Sequence, residues 1–62
     1  MAHSLRYQIG ESVHTIETEV GKLLELVATL RDAGDEELAA AVSAQVNKLL
    51  QASVALRIAL AD

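Results

Sequence analysis

Residues 9–30, IGESVHTIETEVGKLLELVATL, carry an apolar side chain at every third or fourth position. The steps alternate between four and three residues without interruption, which is a heptad repeat, and no polar residue falls on this seam. The outer positions are polar, as an amphipathic helix requires. The pattern predicts a helix that packs its seam against a second helix. The seam consists of Ile9, Val13, Ile16, Val20, Leu23, Val27 and Leu30.

The residues after this seam predict a short turn and a second helix. Gly34 suits the left-handed conformation that ends many helices, and Asp35 is a good N-cap for the next helix. Glu36 and Glu37 then place negative charge at the N-terminal end of that helix, where the helix dipole favours it. The predicted elements are a helix over about residues 4–32, a turn at 33–35 and a helix over about residues 36–60.

The seams of the two helices match when the helices pair as an antiparallel hairpin. A single register aligns six successive layers, from Ile9 opposite Leu60 to Val27 opposite Val42, and the short turn requires antiparallel neighbours. The predicted second seam is Leu38, Val42, Val46, Leu49, Ser53, Leu56 and Leu60. The residues predicted to hold the hairpin together are Val20, Leu23, Val27, Val46 and Leu49.

Two features of this hairpin leave alternatives open. Ser53 is the one polar residue on either seam; its hydroxyl is expected to bond back to a carbonyl one turn earlier, or else to fix the register or oligomeric state. The first helix begins either at Leu5 with Ser4 as its cap, or near Gly10, with the preceding residues extended. Because Leu5 and Ile9 are four residues apart on the seam side of the helix, we favour the early start.

A hairpin of this size leaves apolar surface uncovered. The chain has 62 residues and no cysteine, so it is one domain that cannot use a disulfide, and small domains usually need a disulfide, a metal or a second copy. We therefore predict an all-α hairpin that self-associates into a four-helix bundle, as a homodimer or, by extension, a tetramer. The predicted interface residues, which flank the seams, are Leu24, Leu26, Leu50, Val54 and Ile58.

The composition argues against several classes of function. Five basic against nine acidic residues give a net charge of −4, which disfavours a nucleic-acid surface. No stretch is apolar over the roughly 20 residues that a membrane helix needs, and no signal peptide is visible, so a cytoplasmic protein without membrane contact is expected. The chain has no cysteine nucleophile, no glycine-rich phosphate loop and no serine beside a base. It is therefore predicted not to be an enzyme and to bind no cofactor.

One short motif has the spacing of metal ligands. Glu11 and His14 form a Glu-x-x-His pair, which di-metal carboxylate bundles use when both side chains project into the core. Here Val13 and Ile16 occupy the inward positions, and the second helix offers no interior carboxylate. No metal site is predicted.

In length, turn placement and apolar pattern the chain resembles the repressor-of-primer (Rop) family, small plasmid-encoded hairpins that dimerise into a four-helix bundle. The resemblance implies a homodimer, and RNA binding through basic and polar side chains of the first helices. This chain departs from that pattern, because its first helix carries Glu11, Glu17, Glu19 and Glu25 against Arg6, Lys22 and Arg31. The predicted function is thus a structural, adaptor or regulatory role through protein contacts. Alternatives are an antitoxin-like or chaperone-like subunit of a hetero-complex, or an RNA-binding hairpin dimer.

Overall fold

The structure is a computed structural model that describes the backbone of residues 2–61 and the side chains of residues 5–61. Within this range the chain forms two helices, α1 (Ala2–Asp32) and α2 (Glu36–Ala61), which pack against each other as a hairpin. The predicted hairpin and its turn are confirmed. Because α1 begins at Ala2, Ser4 lies within the helix rather than at its cap, and an extended start is wrong.

The turn has the hydrogen bonds of a Schellman motif. The Gly34 N–H donates to the Arg31 carbonyl at 3.0 Å, and the Asp35 N–H donates to the Leu30 carbonyl at 2.9 Å. Gly34 has a φ of 86°, the left-handed conformation that the sequence predicts for it. Asp35 then caps α2, since its Oδ1 accepts the Leu38 N–H at 3.2 Å. This local chemistry reverses the chain within three residues.

The helices meet along two lines of small side chains, each with a spacing of seven residues. Among the side chains of residues 5–61, the six buried ones are Val13, Val20 and Val27 on α1, and Ala39, Val46 and Ser53 on α2. The predicted role of Val20, Val27 and Val46 is confirmed. The predicted position of Leu38 on the seam is wrong: Leu38 is 48% exposed and Ala39 is fully buried. Seven residues are nearly two full helical turns, so Ala39 lies directly in line with Val46, whereas Leu38 lies to one side.

The larger side chains of the predicted seams lie beside these two lines. Leu23 is half-buried, and Leu49 is 44% exposed, so the hairpin alone does not bury the leucine that the sequence assigns to its core. The reason is the size of the side chains at the contact: valine, alanine and serine let the helix axes approach, and the bulkier residues three positions later are left at the margin.

Ser53 is buried without disturbing this contact. Its Oγ donates to the Leu50 carbonyl at 2.9 Å, within the same helix, as the sequence analysis expects. The hydroxyl therefore needs no partner on α1.

Two substitutions at Ser53 distinguish the effect of side-chain volume from the effect of the hydroxyl hydrogen bond. Ser53→Ala should change the free energy of unfolding by no more than about 0.5 kcal/mol, because only a bond within α2 is lost. Ser53→Leu should destabilise the hairpin by about 1–3 kcal/mol through overpacking. Urea unfolding followed by far-UV circular dichroism measures both. An alanine variant as unstable as the leucine variant, or one of altered mass, would show that the hydroxyl fixes the assembly.

Glycines offer a second test of the fold. A Cβ added at Gly21 meets nothing within 4 Å, so Gly21→Ala should stabilise α1 by about 1 kcal/mol and raise the melting temperature by about 4–8 °C. Gly34→Ala is the matched contrast: it should lower the melting temperature because the left-handed backbone disfavours a Cβ. Equal responses at the two sites would contradict the turn geometry.

Candidate interaction surface

The two sides of the hairpin have different chemistry. In a helix, the residues three and four positions after a buried one flank it on opposite sides. Ile16 and Leu56, three positions after Val13 and Ser53, line one common groove. On the other side, Glu17 and Arg57, four positions after the same two residues, contact each other. The antiparallel pairing therefore brings the same heptad position of both helices to the same side of the hairpin.

One side is almost wholly aliphatic, and we call it the aliphatic face. Its members lie three positions after the core heptad position of each helix, and each is half-buried or exposed. Ile9, Leu49 and Leu56 are 44%, 44% and 41% exposed, which is unusual for large side chains on a regular heptad. The aliphatic face consists of Ile9, Ile16, Leu23 and Leu30 on α1, and Val42, Leu49 and Leu56 on α2.

The surface shape of the aliphatic face differs between its two halves. In the half remote from the turn, an open groove of about 280 Å³ runs along the face, with Leu5, Ile9, Ser12 and Leu56 among its lining residues. In the half near the turn, the edge positions carry Leu26, which is 56% exposed, and Leu38, which is 48% exposed; at the far end the same position of α1 carries Leu5, which is 61% exposed. Exposed leucines therefore border the face at both ends, and the groove lies in the half remote from the turn.

The opposite side carries an ion pair, and we call it the salt-bridged face. Its members lie four positions after the core heptad position and include Glu17 and Leu24 on α1 and Leu50 and Arg57 on α2. Arg57 donates from Nε to Glu17 Oε2 at 2.6 Å and from Nη2 to Glu17 Oε1 at 2.5 Å, a bidentate arrangement that joins the helices. These hydrogen bonds from Arg57 hold the pKa of the Glu17 carboxyl below its ordinary value of 4.5. A second bond joins the helix ends, where Arg6 Nη1 donates to the Leu60 carbonyl at 2.7 Å.

The five residues predicted as the interface do not form one surface. All are exposed, between 42% and 68%, but Leu26 borders the aliphatic face, whereas Leu24 and Leu50 lie on the salt-bridged face. Val54 and Ile58 lie further round α2, since they follow Ser53 by one and five residues. The aliphatic face is not apparent from the sequence, because the heptad pattern assigns its members to the hairpin core. The signal that distinguishes them is size: small residues recur every seventh position, and larger ones follow three positions later.

The Glu-x-x-His motif lies on the surface of α1. Glu11 and His14 are exposed, and Glu11 Oε1 accepts a hydrogen bond from the Tyr7 hydroxyl at 3.1 Å. Within residues 2–61, no three potential ligands among His, Cys, Asp and Glu are gathered where they could hold a metal ion. Neither of the helices described has a segment with the length and hydrophobicity needed to cross a membrane.

Comparison with protein-family models, with curated proteins and with solved structures finds no match for this chain. The aliphatic face and the salt-bridged face are therefore the features on which a functional argument can be built.

The ion pair predicts an acid-sensitive coupling between the helices. Because the pKa of Glu17 is lowered in the folded chain, the pair stabilises the fold above the ordinary glutamate pKa. This contribution is lost as the pH falls through the folded pKa of Glu17. A double-mutant cycle with Glu17→Gln and Arg57→Gln should show favourable coupling in the melting temperature at neutral pH and none in strong acid. Coupling that persists in acid would contradict the ionic nature of the contact.

Proposed function

We propose that this chain is a homo-oligomeric helical hairpin that acts through protein–protein contacts, in a structural, adaptor or regulatory role. In this proposal the aliphatic face docks on the same face of a second copy, and the two hairpins form a four-helix bundle. The observation that carries the proposal is the aliphatic face itself, seven aliphatic side chains of which Ile9, Leu49 and Leu56 are 44%, 44% and 41% exposed and the others are partly exposed. Exposed patches of this kind mark interaction sites in soluble proteins.

The accessible area of the chain supports the burial of one face against a second copy. The hairpin exposes 4685 Å², whereas a compact monomer of 6.6 kDa exposes about 3,900 Å². The difference of about 800 Å² equals the area that each partner contributes to a standard protein–protein interface. Burial of one face against a second copy would therefore bring the accessible area of the chain to the value expected for its mass.

The choice of face rests on charge and on hydrogen bonding. The aliphatic face contains no charged side chain among its seven members, and Glu19 at its edge is paired with Lys22 of the same helix at 3.4 Å. On the salt-bridged face, burial would desolvate the Glu17–Arg57 pair, which is now 30% and 50% exposed. Docking on the aliphatic face thus has the smaller desolvation penalty.

Two adjacent leucines of nearly equal exposure test this proposal. Leu49 is 44% exposed on the aliphatic face, and Leu50 is 42% exposed on the salt-bridged face. The wild-type chain should have at least twice the 6.6 kDa mass of one copy by light scattering. Leu49→Lys should abolish this assembly, since a charge buried in the interface costs several kcal/mol, whereas Leu50→Lys should leave the mass unchanged.

Two controls make the outcome interpretable. If dissociated hairpins unfold, the wild-type melting temperature should rise with protein concentration, which separates lost assembly from a damaged monomer. A cooperative, stable wild-type monomer at all concentrations would contradict the proposal. A chain that folds only when a different host protein is added would instead identify it as a subunit of a hetero-complex.

A further inference from the structure

We infer that the outward half of α2 is a second docking surface, for an amphipathic helix of a different protein that carries acidic residues along both edges of its apolar side. The inference rests on the proposed function, because it leaves the aliphatic face to a second copy and adds the further partner that an adaptor needs. It follows from the composition of α2, from the positions of its charges and from the accessible area of the chain.

The two helices present different chemistry to solvent. On α1 the side chains that point away from α2 are charged or polar, for example Glu11, Thr18 and Glu25, as in an ordinary amphipathic helix. On α2 the outward positions are largely apolar as well, and a helix that is apolar on every side is typical of a protein interior. We call this surface the outer face of α2; its exposed apolar members are Ala40, Ala44, Val54, Ala55 and Ile58.

Two basic residues border the outer face of α2. Lys48 and Arg57 are the only charged residues among positions 38–61. They are nine residues apart, which is two and a half turns, so they lie on opposite sides of the helix with the outer face between them. Arg57 contacts Glu17 but remains 50% exposed. A partner helix with acidic residues on both edges can therefore meet a cation at each border, which is the charge complementarity that selects a partner.

The largest side chains of the outer face form a ridge that suits the packing of a helix. Val54 and Ile58 continue a row that starts at Leu50 of the salt-bridged face, with a spacing of four residues. The exposed fraction rises along this row, from 42% at Leu50 to 68% at Ile58. Rows with this spacing fit into the grooves of a second helix that crosses at about 50°, and small neighbours such as Ala55 allow it to approach closely.

The accessible area leaves room for this contact after self-association. Twice the 4685 Å² of one hairpin, less one standard interface of about 1,600 Å², is about 7,800 Å². A compact protein with twice the mass of 6.6 kDa exposes only about 6,400 Å², because the expected area grows more slowly than the mass. The excess is about 700 Å² per hairpin, close to the contribution of one partner to a standard interface.

A second copy complements the outer face less well than a different protein does. Two outer faces in contact would place the Lys48 of each copy beside a helix that has no acidic residue among positions 38–61. The outward side of α1 does supply acidic residues such as Glu11 and Glu25, but it has no row of aliphatic side chains to pack against Val54 and Ile58. The occupant that fits both the charge and the ridge is therefore a helix from another protein.

Two designed peptides test the charge of this partner. Both are amphipathic helices of leucine and alanine, one with glutamate and the other with lysine at the edges of the apolar side. By fluorescence anisotropy at low salt, the glutamate peptide should bind the wild-type protein at least about tenfold more tightly. Non-specific attraction to a chain of net charge −4 would favour the lysine peptide instead. Equal binding, tighter binding of the lysine peptide or no binding of either would overturn the inference, whereas the mass by light scattering tests self-association separately.

Substitutions locate the contact. Ile58→Asp and Lys48→Glu should each weaken binding of the glutamate peptide about tenfold or more, because each adds a like charge to the contact. Thr29→Asp is the matched control: it places a charge on the outward side of α1 and should leave binding within about twofold. Far-UV circular dichroism establishes that each variant remains helical.

Two outcomes of these substitutions would overturn the inference while the peptide still binds the wild-type protein. A lower mass of the Ile58→Asp variant alone would make the outer face a contact between copies. Binding that is lost in Leu49→Lys but retained in Ile58→Asp would place the peptide on the aliphatic face.

Discussion

The close approach of α1 and α2 along two lines of small side chains determines most of this structure. Val13, Val20 and Val27 face a line made of Ala39, Val46 and Ser53. Because these side chains are short, the contact is centred on them, and the wider side chains three positions later cannot fit between the helices. The same constraint that forms the hairpin therefore produces its exposed aliphatic face.

The heptad pattern predicts the hairpin, its turn and the bounds of its helices, because each of these depends on local chemistry. Gly34 and Asp35 have few alternatives in a helix–turn–helix connection, and both adopt the predicted roles. The pattern does not show which of the two apolar heptad positions lies at the centre of the contact. Leu49 is the clearest example. It falls on the heptad repeat and is strongly apolar, but the hairpin buries Val46, three positions earlier, instead.

The candidate surface is harder to predict because it depends on three-dimensional placement. Leu24, Leu26 and Leu50 attract attention as apolar residues outside the seam, but they lie on different sides of the hairpin. The distinction between the sides comes from the contact of Glu17 with Arg57, forty residues apart in the chain, which no local pattern indicates. That ion pair gives one face a pair of charged side chains, whereas the aliphatic face has none among its seven members.

A chain with so small a core has a direct reason to couple folding with assembly. In the described part of the chain, six short side chains are buried, while eleven large hydrophobic residues remain exposed. The burial of apolar surface contributes roughly 25 cal/mol per Å², so covering Ile9, Leu49 and Leu56, which are 44%, 44% and 41% exposed, would add to the stabilisation that the buried valines supply. In the proposed assembly, covering the aliphatic face adds to the stability of the hairpin. The amount of folded protein would then depend on the concentration of its partner, which is a simple physical basis for a regulatory role.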